Sequence, residues 1–277
     1  MNEEQLDVFY TYWDLHATNL IYDALTGKRQ FLSLLVLGEP GLGKTSYMYY
    51  SLKTAIAKYL CYRHGAYDAD SCLNLLQSKI NVCWGRSCDQ DDLDKRYEFV
   101  YYTGLSDIPR FINDVYAILG GNGDAQRRLR VMLLDDMVTK SLYTYGGELR
   151  RLYLAFKDLV RIMRSVSRVV LSTGTAPEYF PVEFLRITKV IIARRGFGST
   201  LFERKHVEYF TKLWFGREYQ FKALVHEFTD EVPWAREFGL PAWLEQRIEE
   251  RKKATAKAII EWAMKDSRQG KTVTGTK

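Results

Sequence analysis

Near the start of the chain, apolar side chains recur at Leu6, Phe9, Tyr10, Trp13, Leu20, Ile21 and Leu25. This is the spacing of helices with one buried face, and Gly27 ends them. A continuous apolar run, Phe31–Leu37, broken only by Ser33, predicts a strand covered on both faces. A glycine-rich stretch follows, and Thr45–Arg63 reads as a helix closed by Gly65. Residues 66–95 are polar, irregular and cysteine-bearing, the pattern of an insertion. Strands and helices then alternate. Tyr97–Thr103, Arg130–Leu134, Arg168–Leu171 and Lys189–Ala193 read as strands. Ser106–Leu119, with Ser106 as N-cap, Glu148–Val166 and a short stretch near Val182–Leu185 read as helices.

Five strands with intervening helices predict a three-layer α/β fold around a parallel sheet. Phe197-Gly198-Ser199 is a turn signal from which Leu201–Tyr209 returns as a further strand. From Lys212 onward the pattern predicts helix, with Pro241 opening a long one through Met264 and a polar, disordered end at Ser267–Lys277. The expected organisation is a helical linker over 1–30, a core over 31–210 with its insertion near 66–95, and a helical lid over 211–277.

Composition narrows the class without choosing a function. The 277 residues are 47% hydrophobic and 27% charged, enough for a substantial core. No apolar run is long enough to span a bilayer and the first residues are polar and acidic, so the expectation is a cytoplasmic protein with no membrane partner. Forty Lys and Arg against 34 Asp and Glu give a net charge of +6, compatible with nucleic acid without requiring it. Four cysteines in a cytoplasmic chain are expected as thiols or metal ligands rather than disulfides.

Gly38-Glu39-Pro40-Gly41-Leu42-Gly43-Lys44-Thr45 fits G-x-x-x-x-G-K-[ST] at every fixed position. The glycines let successive backbone N–H groups face one anion, and the helix that follows adds its positive end. The segment from Gly38 through Ser46 is therefore the expected phosphate cradle of a P-loop NTPase core. Lys44 would reach the β- and γ-phosphates of ATP, and Thr45 would ligate magnesium. Val131-Met132-Leu133-Leu134-Asp135-Asp136 supplies the second half. Its apolar residues bury a strand, Asp135 emerges to hold the magnesium shell, and Asp136 would orient or deprotonate the attacking water. The strand Arg168–Leu171 ends in Ser172-Thr173-Gly174-Thr175, polar residues able to sense the γ-phosphate. Thr173 is the first choice, and Thr175 also suits a helix N-cap before Pro177.

A predicted strand lies between the two motifs, an order that resembles the additional-strand ATPases. With Gly41-Leu42-Gly43-Lys44-Thr45, Leu133-Leu134-Asp135-Asp136 and Val170-Leu171-Ser172-Thr173 followed by Pro177-Glu178, the chain resembles an AAA+ ATPase of the DnaA/DnaC-like group. Small ATPases of crenarchaeal viruses and plasmids, fuselloviruses included, are similar, which would place the protein in a host cytoplasm. The resemblance implies ATP-dependent homo-oligomers, action on DNA as a replication initiator or helicase loader, and a replicative helicase or other protein as partner. A DNA translocase or packaging motor, or an ATP-bound regulatory switch, is the alternative. It also implies an arginine finger, for which Arg186 is closest in position and Lys189 its rival. A second sensor from the lid would be Arg217 or Arg247. No helix-turn-helix of the DnaA type is evident.

Three weaker signals remain. Cys61 and His64 with Cys72, Cys83 and Cys88 are the right kind and number of ligands for zinc, at loose spacings, and unpaired thiols are the expectation. Arg194-Arg195-Gly196-Phe197-Gly198 and Arg204-Lys205-His206 flank a hairpin turn and could touch phosphates, or form a solvated face. The mixed charges Arg247, Glu249, Glu250, Arg251, Lys252 and Lys253 read as a solvated helix face.

Overall fold

The computed structural model describes residues 1–96, 100–103, 107–120, 131–135, 154, 158–159, 162–214, 217–234 and 239–272. Its helices are α1 (Glu3–Trp13), α2 (His16–Leu25), α3 (Lys44–Arg63), α4 (Ala69–Lys79), α5 (Asp92–Arg96), α6 (Ile108–Leu119), α7 (Val182–Ile187) and α8 (Ala242–Thr272). Its strands are β1 (Leu32–Leu37), β2 (Val100–Thr103), β3 (Val131–Asp135), β4 (Val169–Gly174), β5 (Lys189–Arg195), β6 (Ser199–Trp214) and β7 (Arg217–Pro233). They form one mixed sheet in the order β2-β3-β4-β1-β5-β6-β7. The first five are parallel to their neighbours, and β6 and β7 are antiparallel. The chain is thus α/β with a mostly parallel sheet.

The central strands β1, β3 and β4 are predominantly apolar because both faces are covered. Leu34, Val36, Leu133 and Leu171 point into one hydrophobic cluster with α1 to α4. Leu35, Leu37, Met132, Leu134 and Val170 point into another with α6 and α7. On the first face the N-terminal helices are core rather than linker, since Val8, Phe9, Tyr12, Ala17, Ile21 and Ala24 are wholly buried against α3 and its surroundings. The expected insertion is also part of that core. Cys72, Leu73, Leu76, Trp84 and Leu93 pack there despite the polar sequence around them.

Two of its carboxylates, Asp91 and Asp94, are buried. Lys53 of α3 is fully buried, with Nζ 2.6 Å from Asp91 and 3.1 Å from Asp94, and it lies over the rings of Trp84 and Tyr49. Tyr49 donates to Asp94 at 2.8 Å. Burial pushes the Asp94 carboxyl up from its ordinary range, opposed by the Lys53 ammonium. The cysteines pair as Cys61–Cys72 and Cys83–Cys88. That corrects the expectation of thiols and removes these sulfurs as zinc ligands. The reason is local: α4 folds back on the last turn of α3, bringing Cys61 and Cys72 to a Cα separation of 5.2 Å.

The largest departure lies after Lys212. The segment expected to be helical is instead the long strand β7, paired with β6 from Ser199–Pro233 to Trp214–Arg217. At its base, Phe202, Phe228 and Val232 join the core. Beyond β5 the two strands continue together as an arm, with no third strand beside them among the described residues. α8 follows, longer than expected and helical to Thr272, including residues expected to be disordered. Among the described residues no helix is long and apolar enough to cross a membrane. The predicted N-cap Ser106 and strand residues 97–99 lie outside the described residues, as does most of the predicted helix 148–166, of which 154, 158–159 and 162–166 are helical.

Candidate phosphate-binding cleft

β1 ends at Leu37, and the chain must turn sharply to start α3 at Lys44. Gly38 makes this possible by close approach, because a Cβ there would lie 2.8 Å from the Ala193 carbonyl oxygen of β5. Gly43, the N-cap of α3, has φ +70°, a left-handed conformation that disfavours other residues. Leu42 is buried in the core and anchors the loop from below. Pro40 and Gly41 are exposed at its crest, as is the side chain of Glu39. The loop is thus held as a rigid ring at the positive end of a 20-residue helix.

Three residues predicted from separate motifs meet below it. Thr45 Oγ1 donates to Asp135 Oδ1 at 2.8 Å, and Thr173 Oγ1 donates to the same oxygen. Asp135 and Thr173 are register partners on adjacent strands, which explains their meeting. Because the Thr45 proton is directed at Asp135, the lone pairs of its hydroxyl are available to a cation. Lys44 Nζ donates to the carbonyl oxygens of Gly38 and Glu39 at 2.8 Å each, curling over the loop. Ser46, largely buried, also lines the cleft.

The cleft has a volume of about 370 Å³. Pro40, Gly41, Gly43, Lys44, Thr45, Ser46 and Asp135 form one wall, and Leu240 with Glu245, Ile248, Glu249 and Lys252 of α8 forms the other. The α8 residues follow i, i+3, i+4, i+7 spacing, so one edge of that helix faces the cleft. The mixed charges expected to be a solvated face therefore include a lid. Arg251 fixes the lid by an ion pair to the buried Asp107, at 2.9 Å, at the start of α6. Lys252 is a functional candidate that sequence reasoning missed; its spacing from Ile248 and Glu245 was the available signal.

Thr45 and Asp135 are hard oxygen donors, suited to magnesium when nucleotide and water supply the other ligands. Among the described residues no group of three His, Cys, Asp or Glu side chains is placed to hold a metal by itself. Asp136 lies outside the described residues. Thr175 is exposed and does not cap the turn before Pro177, whose N-cap is Ala176. Arg186 is exposed on α7, which enters β5 at the edge of the sheet opposite the loop, so it is not in this chain's own cleft. Lys189 is engaged with Glu227 at 2.7 Å. Arg217 stands at the far end of β7, and Arg247 lines a different surface groove with Gln90 and Trp243. Neither expected second sensor reaches the cleft.

The β5–β6 turn forms as expected. Gly196 N donates to Ser199 O at 2.8 Å, and Phe197 is fully exposed. Trp234 closes it from behind, donating through Nε1 to Ser199 O. Arg194 is paired with Glu203 at 3.2 Å.

One carboxylate ties this half of the molecule to the strands beyond it. Asp230 of β7 accepts from the N–H groups of His16 and Ala17, at 2.8 and 3.0 Å, and from the Tyr47 hydroxyl at 2.6 Å. It thereby caps α2, whose own N-cap residue, Leu15, makes no side-chain hydrogen bond. Burial, reinforced by Asp230, pushes the Tyr47 hydroxyl well above its ordinary pKa, so it stays a donor. The Tyr47 ring stacks on Phe202 at 3.8 Å.

No protein-family model matches the chain, and no curated protein matches it.

Proposed function

We propose that the chain binds ATP with magnesium in this cleft and hydrolyses it. The observation that carries the reading is the convergence of Thr45, Asp135 and Thr173 beneath a glycine loop bearing Lys44. The strand order supports an additional-strand P-loop core, since β4 separates the loop strand β1 from the acidic strand β3.

The loop's N–H groups and the α3 N-terminus bind the phosphates, and Lys44 exchanges two carbonyl partners for phosphate oxygens. Bound magnesium supplies charge neutralisation at the phosphate oxygens, and Thr45 and Asp135 are the residues that would hold it. Thr173 fixes the Asp135 carboxylate. Asp136 is assigned the attacking water, and Lys252 reaches the cleft from α8.

The partner assignments belong to the same proposal. Arg186, exposed and remote from its own cleft, would serve a neighbouring copy in an AAA+-type oligomer, and the turnover would be coupled to DNA in the manner of DnaA/DnaC-like initiators or loaders. Support for DNA is the net charge of +6 and the exposed Phe197 turn.

The test is ATP binding and turnover with and without magnesium. Magnesium-dependent hydrolysis is expected, and Lys44→Ala should abolish it. A wild-type chain that binds no ATP, or a Lys44→Ala chain with wild-type turnover, overturns the assignment.

A further inference from the structure

β6 is antiparallel to β5 and pairs with it only from Thr200 to Glu203, opposite Arg195 to Ile192. Past that point β6 and β7 run on as a two-stranded ribbon from Val207–Leu224 to Trp214–Arg217, directed away from the phosphate loop. A two-stranded hairpin is marginal in water on its own. This one carries large apolar and aromatic groups on both faces and covers neither. Tyr209 is 67% exposed, and Phe210 and Phe221 stack on each other at 5.6 Å while remaining open to solvent. Lys212, Arg217 and Lys222 lie among them, with the Lys222 Nζ 5.5 Å from the centroid of the Tyr209 ring.

We propose that this arm is a binding surface for single-stranded nucleic acid. It deepens the proposed function, resting on its nucleic-acid element, and moves the binding surface from the Phe197 turn to the arm. Exposed aromatic faces interleaved with cations match the chemistry of an unpaired strand. Each base offers a π-face for stacking, and each phosphate a charge for Lys or Arg. A duplex keeps its base faces stacked and offers no partner for the rings. Along the ribbon, residues 207–224, the cations Lys212, Arg217 and Lys222 outnumber the anions Glu208 and Glu218, so the charge of the arm is complementary to a polyanion. The turn is a poorer candidate, because one of its two arginines is already paired with Glu203.

The experiment measures full-length protein against a labelled oligothymidylate, the matching duplex, and vesicles of phosphatidylcholine with phosphatidylserine, alongside ATP binding and sedimentation. Wild type should prefer the oligothymidylate. Tyr209→Leu should weaken it by about tenfold, whereas Tyr209→Phe, which keeps the ring, should not. Lys212→Ala with Arg217→Ala should also weaken it and lower the log–log salt slope by about 0.7 for each phosphate no longer neutralised. ATP binding should be unchanged in all of them. The proposal is overturned if the arm variants bind like wild type, or if Arg194→Ala with Arg195→Ala carries the loss instead. It is equally overturned if the arm binds vesicles but no oligothymidylate, or if its variants alter only self-association. ATP turnover without any oligothymidylate binding would remove the arm assignment and leave the ATP site standing.

Discussion

The two halves of the sheet are built on opposite terms. In β3, β4 and β1 the strands are covered by helices on both faces, and their polar groups serve fixed geometry, as in the Thr45–Asp135–Thr173 cluster. Past their buried base, β6 and β7 outrun the helices, and Tyr209, Phe210 and Phe221 face solvent. Burial makes the first half rigid and intolerant of change. Exposure leaves the second half dependent on cross-strand pairs, each contributing roughly 0.2–1 kcal/mol. Substitutions in the first half are therefore expected to act on folding and, under the proposed function, on turnover, and those in the second on association.

That contrast can be broken or sharpened by measurement. The largest effect is expected at Lys53, where Lys53→Met leaves two buried carboxylates facing each other. Urea unfolding should show a loss of about 3–5 kcal/mol, and a loss below about 1 kcal/mol would mean the packed half is softer than its burial implies. Next, Asp135→Asn should lower ATP turnover by roughly 10²–10³ in a steady-state assay, with the fold intact by circular dichroism. Unchanged turnover would detach the buried cluster from chemistry.

Cys61→Ala with Cys72→Ala should cost about 2–3 kcal/mol, read as a drop in Tm, and reductant should lower the wild-type Tm at least as far because it also opens Cys83–Cys88. A Tm insensitive to reductant would argue against the bridge. Asp230→Asn should cost about 1–2 kcal/mol by loosening the cap of α2 and the bond to Tyr47. If it is silent in thermal unfolding, the two halves are less coupled than the hydrogen bonds imply. Smallest of all, Leu213→Ser on the arm should shift stability by no more than about 0.5 kcal/mol, and a larger loss would show that the arm is covered.

The same division decided what could be read from the chain. The sharp glycine loop between β1 and α3 was legible because its residues stand at fixed spacing, and β1, β3 and β4 because strands covered on both faces are predominantly apolar. In 66–95, α5 was hidden because Asp91 and Asp94 are internal around Lys53, whereas α4 was missed although Cys72, Leu73 and Leu76 form a buried stripe among exposed polar residues. β7 was misread as helix, although an alternation was present. Tyr219, Phe221, Ala223 and Val225 recur every second residue, and Phe228, Asp230 and Val232 resume the alternation one residue out of phase. The slip falls at Glu227, where the register with β6 jumps between Arg204 and Lys205. A β-bulge inserts one unpaired residue and shifts the pattern by one, which defeats a search for a single period. The lid residue Lys252 was obscured for a different reason: its neighbours on α8 are charged, and only the opposing loop reveals which edge is covered.

Asp230 has a mechanical meaning beyond its hydrogen bonds. It fastens the base of β7 to Tyr47, two residues past Thr45, and so to the first turn of the helix that begins at the phosphate loop. From Asp230 the strand extends to Arg217, a reach of about 43 Å at ~3.3 Å per residue. The ribbon is therefore a long pointer with its pivot beside the candidate cleft. A tilt of about 5° at that pivot carries the far end through roughly 4 Å, the scale of one base step along a strand.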